Sequence, residues 1–163
     1  MKISKREKEL LCLLAKNSRA LLPVAAGACA FSVDQTLKSS VELREDAGFP
    51  AAVLKKSDAV ELRKMHNPGF VFGLGKDHPE LSEAVPVAAV GVAAGAYAVK
   101  PKKSLAGNIG AGLLLGGALS NIYDRKKRGY VVDYIHVKKG PLGKIVFNVG
   151  DAAIAIGAIL SNF

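Results

Sequence analysis

The stretch GGALSNIYDRKKRGYVVDYIHVKKGPLGKIVFNVGDAAI, residues 116–154, decides how the chain is interpreted. It places two carboxylates in apolar surroundings. Asp133 interrupts a run of valine, tyrosine and isoleucine, and Asp151 lies in a segment with no other charge before the C-terminus. A carboxylate in such surroundings costs several kcal/mol unless it is paired, protonated or used in function. Two of them brought together would perturb each other's ionisation, as a carboxylate pair that activates water requires.

The composition around this stretch is typical of a membrane protein. Glycine, with 17 of 163 residues, and alanine are abundant and tryptophan is absent. Gly112 and Gly116 form a GxxxG spacing, which lets two helices approach closely. The net charge is +9, but lysine and arginine fall at the ends of apolar segments, where membrane proteins keep them. Because no nucleic-acid motif accompanies them, nucleic acid is not an expected partner.

Four apolar windows predict an α-helical membrane protein with four transmembrane helices and a small extramembrane β element. The helices are expected in one membrane domain, 1–163, at approximately residues 12–36, 83–99, 105–123 and 145–162. The first window, Ala20–Val33, is shorter than the roughly 20 residues that a crossing needs. Its helix must therefore begin near Leu10 or continue toward Lys38.

The segment 39–80 is polar and predicts the extramembrane β element. The alternating runs Val41–Arg44 and Val60–Arg63 are typical of strands. Gly48-Phe49-Pro50 and Asn67-Pro68-Gly69 are typical of turns between them.

Four crossings would place both termini and the basic loop 100–103 on one side. The positive-inside rule makes that side cytoplasmic, so the protein is expected to be a multi-pass protein with both termini in the cytoplasm. The acidic excess of residues 34–83 agrees with an outer position. The predicted outer loop 124–144 contradicts the rule, with seven basic and two acidic residues. Attraction to anionic lipid head groups would account for this charge.

Cysteine and histidine do not predict a metal site. Cys12 and Cys29 lie in apolar sequence without CxxC spacing and are expected to be buried free thiols. A lipoprotein signal ending at Cys29 is the alternative. Ala26 disfavours it, because a larger aliphatic residue is expected three places before the cysteine. The histidines are scattered in polar segments, at His66, His78 and His136.

Five motifs, in order along the chain, resemble those of lipoprotein signal peptidase (signal peptidase II), the aspartic peptidase of bacterial membranes. Asp34-Gln35-Thr36-Leu37-Lys38 is similar to the family's DQxxK, and Asn67-Pro68-Gly69-Phe70-Val71-Phe72 is similar to its NxGxxF. GGALSNIYDR, GYVVDY and FNVGDAAI resemble its C-terminal motifs. Each motif alone is weak, whereas five in order over residues 34–154 are specific.

The resemblance implies a catalytic pair, Asp133 and Asp151, that cleaves prolipoproteins before their diacylglyceryl-modified cysteine in the bacterial inner membrane. It further implies that other residues line the site or hold substrate, namely Asn67, Asn121, Arg125 and Asn148. The supporting polar residues would be Asp34, Lys38 and Asp124. The expected partners are these precursors and membrane lipids. The chain is expected to act as a monomer without metal or cofactor.

Three positions depart from the family pattern. Ser120 and Gly150 stand where glycine and alanine are usual, and Tyr134 replaces a common phenylalanine. They leave open a member of the same fold that binds lipopeptides without cleaving them. A small membrane transporter or assembly factor is a further alternative. It would predict internal repeats, and none is found in the sequence.

Overall fold

The computed structural model describes residues 5–54, 57–69, 79–100, 104–138, 140, 143 and 145–162. The predictions for Phe70–Phe72, for His78 and for residues 101–103 of the basic loop lie outside the described residues. So do the side chains of residues 9–20, including Cys12.

The described chain is mostly helical and has one small antiparallel sheet, as predicted. Its four helices are α1 (Lys5–Glu42), α2 (Pro79–Val99), α3 (Leu105–Arg128) and α4 (Val149–Leu160). The sheet has the order β1-β2-β3-β4, with strands β1 (Ala51–Leu54), β2 (Ser57–Asn67), β3 (Val131–Val137) and β4 (Val146–Phe147). A short 3-10 turn, Asp46–Gly48, precedes the sheet.

Helix α3 lies between α1 and α4 and contacts both through glycine. A Cβ atom on Gly116 would lie 2.7 Å from the Cα of Gly27 in α1. A Cβ on Gly157 of α4 would lie 2.5 Å from the backbone nitrogen of Leu114. The GxxxG spacing therefore allows the close helix approach that was predicted from it.

The end of α3 directs the chain into the sheet. Ser104 caps the start of the helix by accepting a hydrogen bond from the Gly107 backbone nitrogen, and Gly129 ends it with φ 82°. Glycine adopts this left-handed conformation without steric cost. Strand β3 follows at once and pairs antiparallel with β2, so that Asn67 lies opposite Val131 and Met65 opposite Asp133. Residues far apart in sequence thereby meet at one end of the helices.

Several details of the prediction were wrong. Cys29, expected to be buried, is exposed, and the second helix begins at Pro79 rather than 83. The run Val41–Arg44 is not a strand, because α1 continues to Glu42 and buries Val41 against Val132. The first helix is longer than 12–36, and the last begins at Val149 rather than 145, after β4. The predicted loop 124–144 contains the last turn of α3 and all of β3.

Among the described helices, α3 alone is long and apolar enough to cross a membrane by length and composition. The apolar parts of α2 and α4, Ala84–Val99 and Val149–Leu160, are shorter. Four crossings therefore stay a prediction.

The helices expose apolar side chains and bury charged ones. Val24, Val92 and Ile159 are 67%, 74% and 64% exposed, whereas Asp34 and Lys38 are fully buried. This distribution is the reverse of that in a soluble domain and favours a lipid surrounding.

Candidate active site

Asp133 and Asp151 lie on the wall of one cavity of about 620 Å³, where the sheet meets α3 and α4. Three of the other residues predicted for the site, Asn67, Asn121 and Arg125, also line this cavity. The structure therefore brings together groups from β2, α3, β3 and α4.

The start of α4 holds Asp151 through a capping box. The Asn148 side chain accepts a hydrogen bond from the Asp151 backbone nitrogen at 2.8 Å, and Asp151 Oδ2 accepts one from the Asn148 backbone nitrogen at 3.2 Å. Asparagine is a preferred N-cap residue, and an acid three residues later completes the reciprocal pair. The same contacts that begin the helix thus fix the carboxylate. Its other oxygen, Oδ1, accepts a hydrogen bond from Asn121 Nδ2 at 2.8 Å.

Asp133 is held by two amides and is only 3% exposed. Its Oδ1 accepts a hydrogen bond from Asn148 Nδ2 at 2.7 Å, and its Oδ2 accepts one from Asn67 Nδ2 at 3.0 Å. Burial, and then the negative charge of Asp151, raise the pKa of Asp133 from 3.8 to about 6. The hydrogen bonds from Asn67 and Asn148 oppose this rise but do not cancel it.

Asn148 is the residue that joins the two carboxylates. It is fully buried and donates through its side chain to Asp133 and through its backbone to Asp151. Its Nδ2 also lies 3.2 Å from Asn121 Oδ1. Asp133 and Asp151 are therefore parts of one hydrogen-bonded unit.

A buried ionic cluster lies behind this unit. Lys38 Nζ contacts Asp34 Oδ2 at 2.7 Å, Asp124 Oδ2 at 3.0 Å and Asn121 Oδ1 at 2.7 Å. All three charged side chains are fully buried. Because an ammonium group can only donate, Lys38 fixes the Asn121 amide with its oxygen inward and its NH₂ toward Asp151.

Asp124 connects the cluster to the start of β3. It pairs with Arg128, which lies one turn later in α3, and accepts a hydrogen bond from the Val132 backbone nitrogen at 3.1 Å. With Arg128 included, the cluster contains two carboxylates and two cations. This balance satisfies charges that would otherwise be costly to bury.

Arg125 lies beside the carboxylates without bonding to either. Its Nη2 donates to the Gly69 carbonyl oxygen at 2.8 Å, and its Nη1 donates to the Asn121 carbonyl oxygen at 3.4 Å. Its buried Nε has no hydrogen-bond partner among the described residues. One donor of this guanidinium is therefore unsatisfied among the described residues.

All nine residues singled out from the sequence lie at this site or in its supporting cluster.

The sequence interpretation missed several other residues of the site. Tyr134 donates its hydroxyl to Asp34 Oδ1 at 3.0 Å and accepts a hydrogen bond from the Val149 backbone nitrogen, so it links α1 to α4. Ser120 donates to Asp34 Oδ2 at 2.6 Å. Both positions had been noted only as departures from the family pattern. Arg63, Met65 and His136 line the cavity and carried no signal in the sequence.

The departure at Gly150 has a structural consequence. A Cβ atom there would lie 2.8 Å from Asp34 Oδ2 and 3.0 Å from Asn148 Oδ1. Glycine therefore gives the Asp34 carboxylate room next to the start of α4.

The arrangement can perform acid–base chemistry on water. When two carboxyl groups lie together and the pKa of one is raised, that group keeps its proton near neutral pH. The other group is ionised and can accept a proton from water. The amides hold both groups in place, and the cavity leaves room for a substrate at their side.

The chain is similar to known proteins over most of its length. The family model of signal peptidase (SPase) II, Peptidase_A8, matches residues 26–163. The lipoprotein signal peptidase of Pelotomaculum thermopropionicum is 36% identical over 78% of this chain and 80% of its own length. That of Rhodococcus jostii is 36% identical over 87% of this chain and 70% of its own.

Solved structures of bacterial membrane enzymes share the fold. One aligns with a TM-score of 0.74 at 21% identity, over 85% of this chain and 83% of that chain. Another aligns with a TM-score of 0.72 at 22% identity, over 85% and 88% of the two chains. From the extent of the family match and of the relatives' alignments, the chain belongs to the signal peptidase II family.

Proposed function

We propose that this peptidase removes signal peptides from prolipoproteins with Asp133 and Asp151 as an aspartic catalytic pair. One observation carries the proposal. Two carboxylates 18 residues apart in the sequence (151 − 133) are held by the same asparagine on the wall of one cavity. Lipoprotein processing is the activity named in the relatives, and it fits a site that joins an apolar helix end to a sheet.

The reaction is hydrolysis of one peptide bond. The ionised carboxylate takes a proton from water, and the oxygen of that water attacks the scissile carbonyl carbon. The protonated carboxyl donates its hydrogen to the carbonyl oxygen as negative charge develops there. As the tetrahedral intermediate collapses and the C–N bond breaks, the departing nitrogen receives a proton from the pair. One hydroxyl of the intermediate returns its proton to the pair as the new carboxyl group forms, so that the pair again holds a single proton.

The surrounding residues hold the pair and the substrate. Asn67, Asn121 and Asn148 fix the four carboxylate oxygens through the contacts described above. Arg125 would donate to substrate carbonyls or a lipid phosphate, since its guanidinium is a rigid fork with several donors. Lys38, Asp34 and Asp124 would act through Asn121 rather than on the substrate.

The name of the relatives supplies the substrate class, and the lining of the cavity suits it. Ile154 and Ala155 of α4 and Phe147 of β4 give the cavity apolar surface for a signal segment or an acyl chain. We place α4 and the other three helices across the bacterial cytoplasmic membrane with both termini inside, and the sheet outside. The precursor is a diacylglyceryl-modified prolipoprotein, and the enzyme acts as a monomer.

Purified protein in nonionic detergent, with a precursor that carries or lacks the diacylglyceryl group, tests this function. The lipid-modified precursor should be shortened on a gel, and mass spectrometry should find the cut before the modified cysteine. The unmodified precursor should stay intact. Binding of the modified precursor without any cleavage would instead support the non-cleaving member of the fold.

A further inference from the structure

A second charged cluster lies on the sheet, away from the catalytic pair. Glu61 of β2 is 5% exposed and is contacted by Arg63 Nε at 2.7 Å, Lys138 Nζ at 2.8 Å and His136 Nδ1 at 3.0 Å. The hydrogen bond from Lys138 is the main cause that lowers the pKa of Glu61 to about 2, so this carboxylate is ionised at neutral pH. Arg63 and Lys138 supply two permanent positive charges against its one negative charge. The cluster therefore has a positive surplus.

Arg63 presents that surplus to the cavity. Its Nε is held by Glu61, while its two terminal NH₂ groups have no hydrogen-bond partner in the part of the chain that the structure describes. The side chain is 47% exposed and lines the same cavity as the carboxylate pair. A guanidinium held at Nε leaves a planar fork of donors, which matches the two oxygens of a carboxylate.

The position of Arg63 along β2 sets its distance from the chemistry. Arg63, Met65 and Asn67 all line the cavity, and Asn67 donates directly to Asp133. Four residues at about 3.3 Å each would span about 13 Å, and the β-bulge between Leu62 and Met65 shortens this, so Arg63 lies roughly 10–13 Å along the strand from Asn67. An extended substrate chain covers that distance in about four residues.

The walls of the cavity come from different elements, and we orient the substrate by them. α4 contributes Ile154 and Ala155, and we assign the signal segment to that wall. The wall formed by the sheet, which includes Arg63, then receives the residues on the other side of the scissile bond. These residues follow the lipid-modified cysteine and stay with the mature protein.

We infer that Arg63 is a specificity residue that favours precursors with an acidic side chain about four residues beyond the cleaved bond. The inference depends on the proposed function, because it assigns one subsite of that cavity. The predicted ligand is a substrate carboxylate, because its two oxygens match the donor fork of Arg63. A substrate in extended conformation would place that side chain at Arg63 while its scissile bond lies at the catalytic pair.

A charge scan of the substrate tests the inference. Each diacylglyceryl-modified precursor in the set carries a single Asp at one of the first six positions after the cysteine. A matched precursor carries Asn, the uncharged analogue, at the same position. Wild-type kcat/KM in nonionic micelles should rise about 2- to 5-fold for Asp over Asn near the fourth position, the range for a partly exposed ion pair. Arg63→Gln should abolish the preference, and Arg63→Glu should reverse it, so that the Asn precursor is cleaved faster than the Asp precursor.

Controls separate this subsite from general charge effects. Lys127→Gln removes one positive charge from an exposed position at the end of α3 and should keep the wild-type profile. Arg63→Lys keeps the charge without the fork and should give a smaller preference. Since Lys138 and His136 still contact Glu61 in Arg63→Gln, the sheet should stay folded in this variant, as a circular dichroism melt checks.

Each other outcome is decisive. Equal kcat/KM for Asp and Asn at all positions, with normal cleavage, would overturn the inference and leave the proposed function intact. Micelles doped with phosphatidylglycerol supply the alternative anion. If Arg63→Gln changed only the response to that lipid, a phosphate rather than a substrate carboxylate would be the ligand, and the inference would be wrong. Failure of wild type to cleave any precursor would overturn the proposed function, and this inference with it.

Discussion

Replacing Asp133 by asparagine should make the protein more stable at neutral pH. The pKa of this carboxyl is raised from 3.8 to about 6 in the folded protein. Each unit corresponds to 1.36 kcal/mol, so keeping Asp133 ionised in the fold costs at most about 3 kcal/mol. Asparagine removes that cost. It also turns one accepting oxygen into a donor that faces Asn67 or Asn148, which costs about 1 kcal/mol. The net gain is about 2 kcal/mol.

The gain should depend on pH in a defined direction. A group whose folded pKa is raised contributes stability that is complete below its unfolded pKa and is lost as pH rises through the folded value. Wild-type stability should therefore fall between about pH 4 and pH 6 relative to the variant. The difference should be constant above about pH 7, and below pH 4 the variant should be slightly less stable.

Thermal unfolding in nonionic detergent from pH 4 to pH 8 measures this effect. For a chain of this size, 2 kcal/mol corresponds to a rise of about 4–8 °C in Tm. Asp46→Asn is the matched control, because the hydrogen bond from Lys64 lowers the pKa of Asp46. That variant should lose stability at neutral pH and match wild type in acid. A Tm for Asp133→Asn equal to or below wild type at pH 7 to 8 would refute the reasoning.

Three further substitutions test the framework of the site. Asn148→Ala should lower the free energy of unfolding by about 1 kcal/mol through loss of the α4 cap, and should cut turnover far more than this loss explains. Gly116→Val should prevent the close approach to Gly27 and lower Tm, with Leu119→Val as an exposed control on the same helix. Lys38→Met should cost about 3–5 kcal/mol because it leaves buried carboxylates uncompensated. Lys38→Arg should recover part of the stability but little activity, since Asn121 is no longer held at the right distance. Circular dichroism melts and precursor cleavage measure all three.

Much of the fold could be predicted because apolar windows alternate with charged segments along the chain. The errors lie where a helix and a strand produce the same short sequence pattern. Val41–Arg44 alternates like a strand, but the end of a long helix also shows alternation over four residues. Strand β4, Val146–Phe147, is too short for any pattern and exists only because β3 is available to pair with it.

The candidate site was predictable in part from physical chemistry and in part from the resemblance. Asp151 stands out because it is the one charge in its apolar segment. Asn67 is 66 residues from Asp133, and no local pattern links them, so only the resemblance pointed to it. In the sequence, Tyr134 has the pattern of an ordinary apolar strand residue. Its link between α1 and α4 depends on packing that a sequence does not display.

The most direct test of the central claim is the rate at which Asp133→Asn and Asp151→Asn cleave a diacylglyceryl-modified precursor. The measurement is a single-turnover gel assay, with Asp46→Asn as the control and precursor binding measured in parallel. An amide can donate a hydrogen bond but cannot accept and return the proton of water. Each variant should therefore lose at least the 10²–10⁴-fold of rate typical of acid–base assistance while binding the precursor as wild type does. If either variant kept a rate within about tenfold of wild type, the carboxylate pair would not be the catalytic centre.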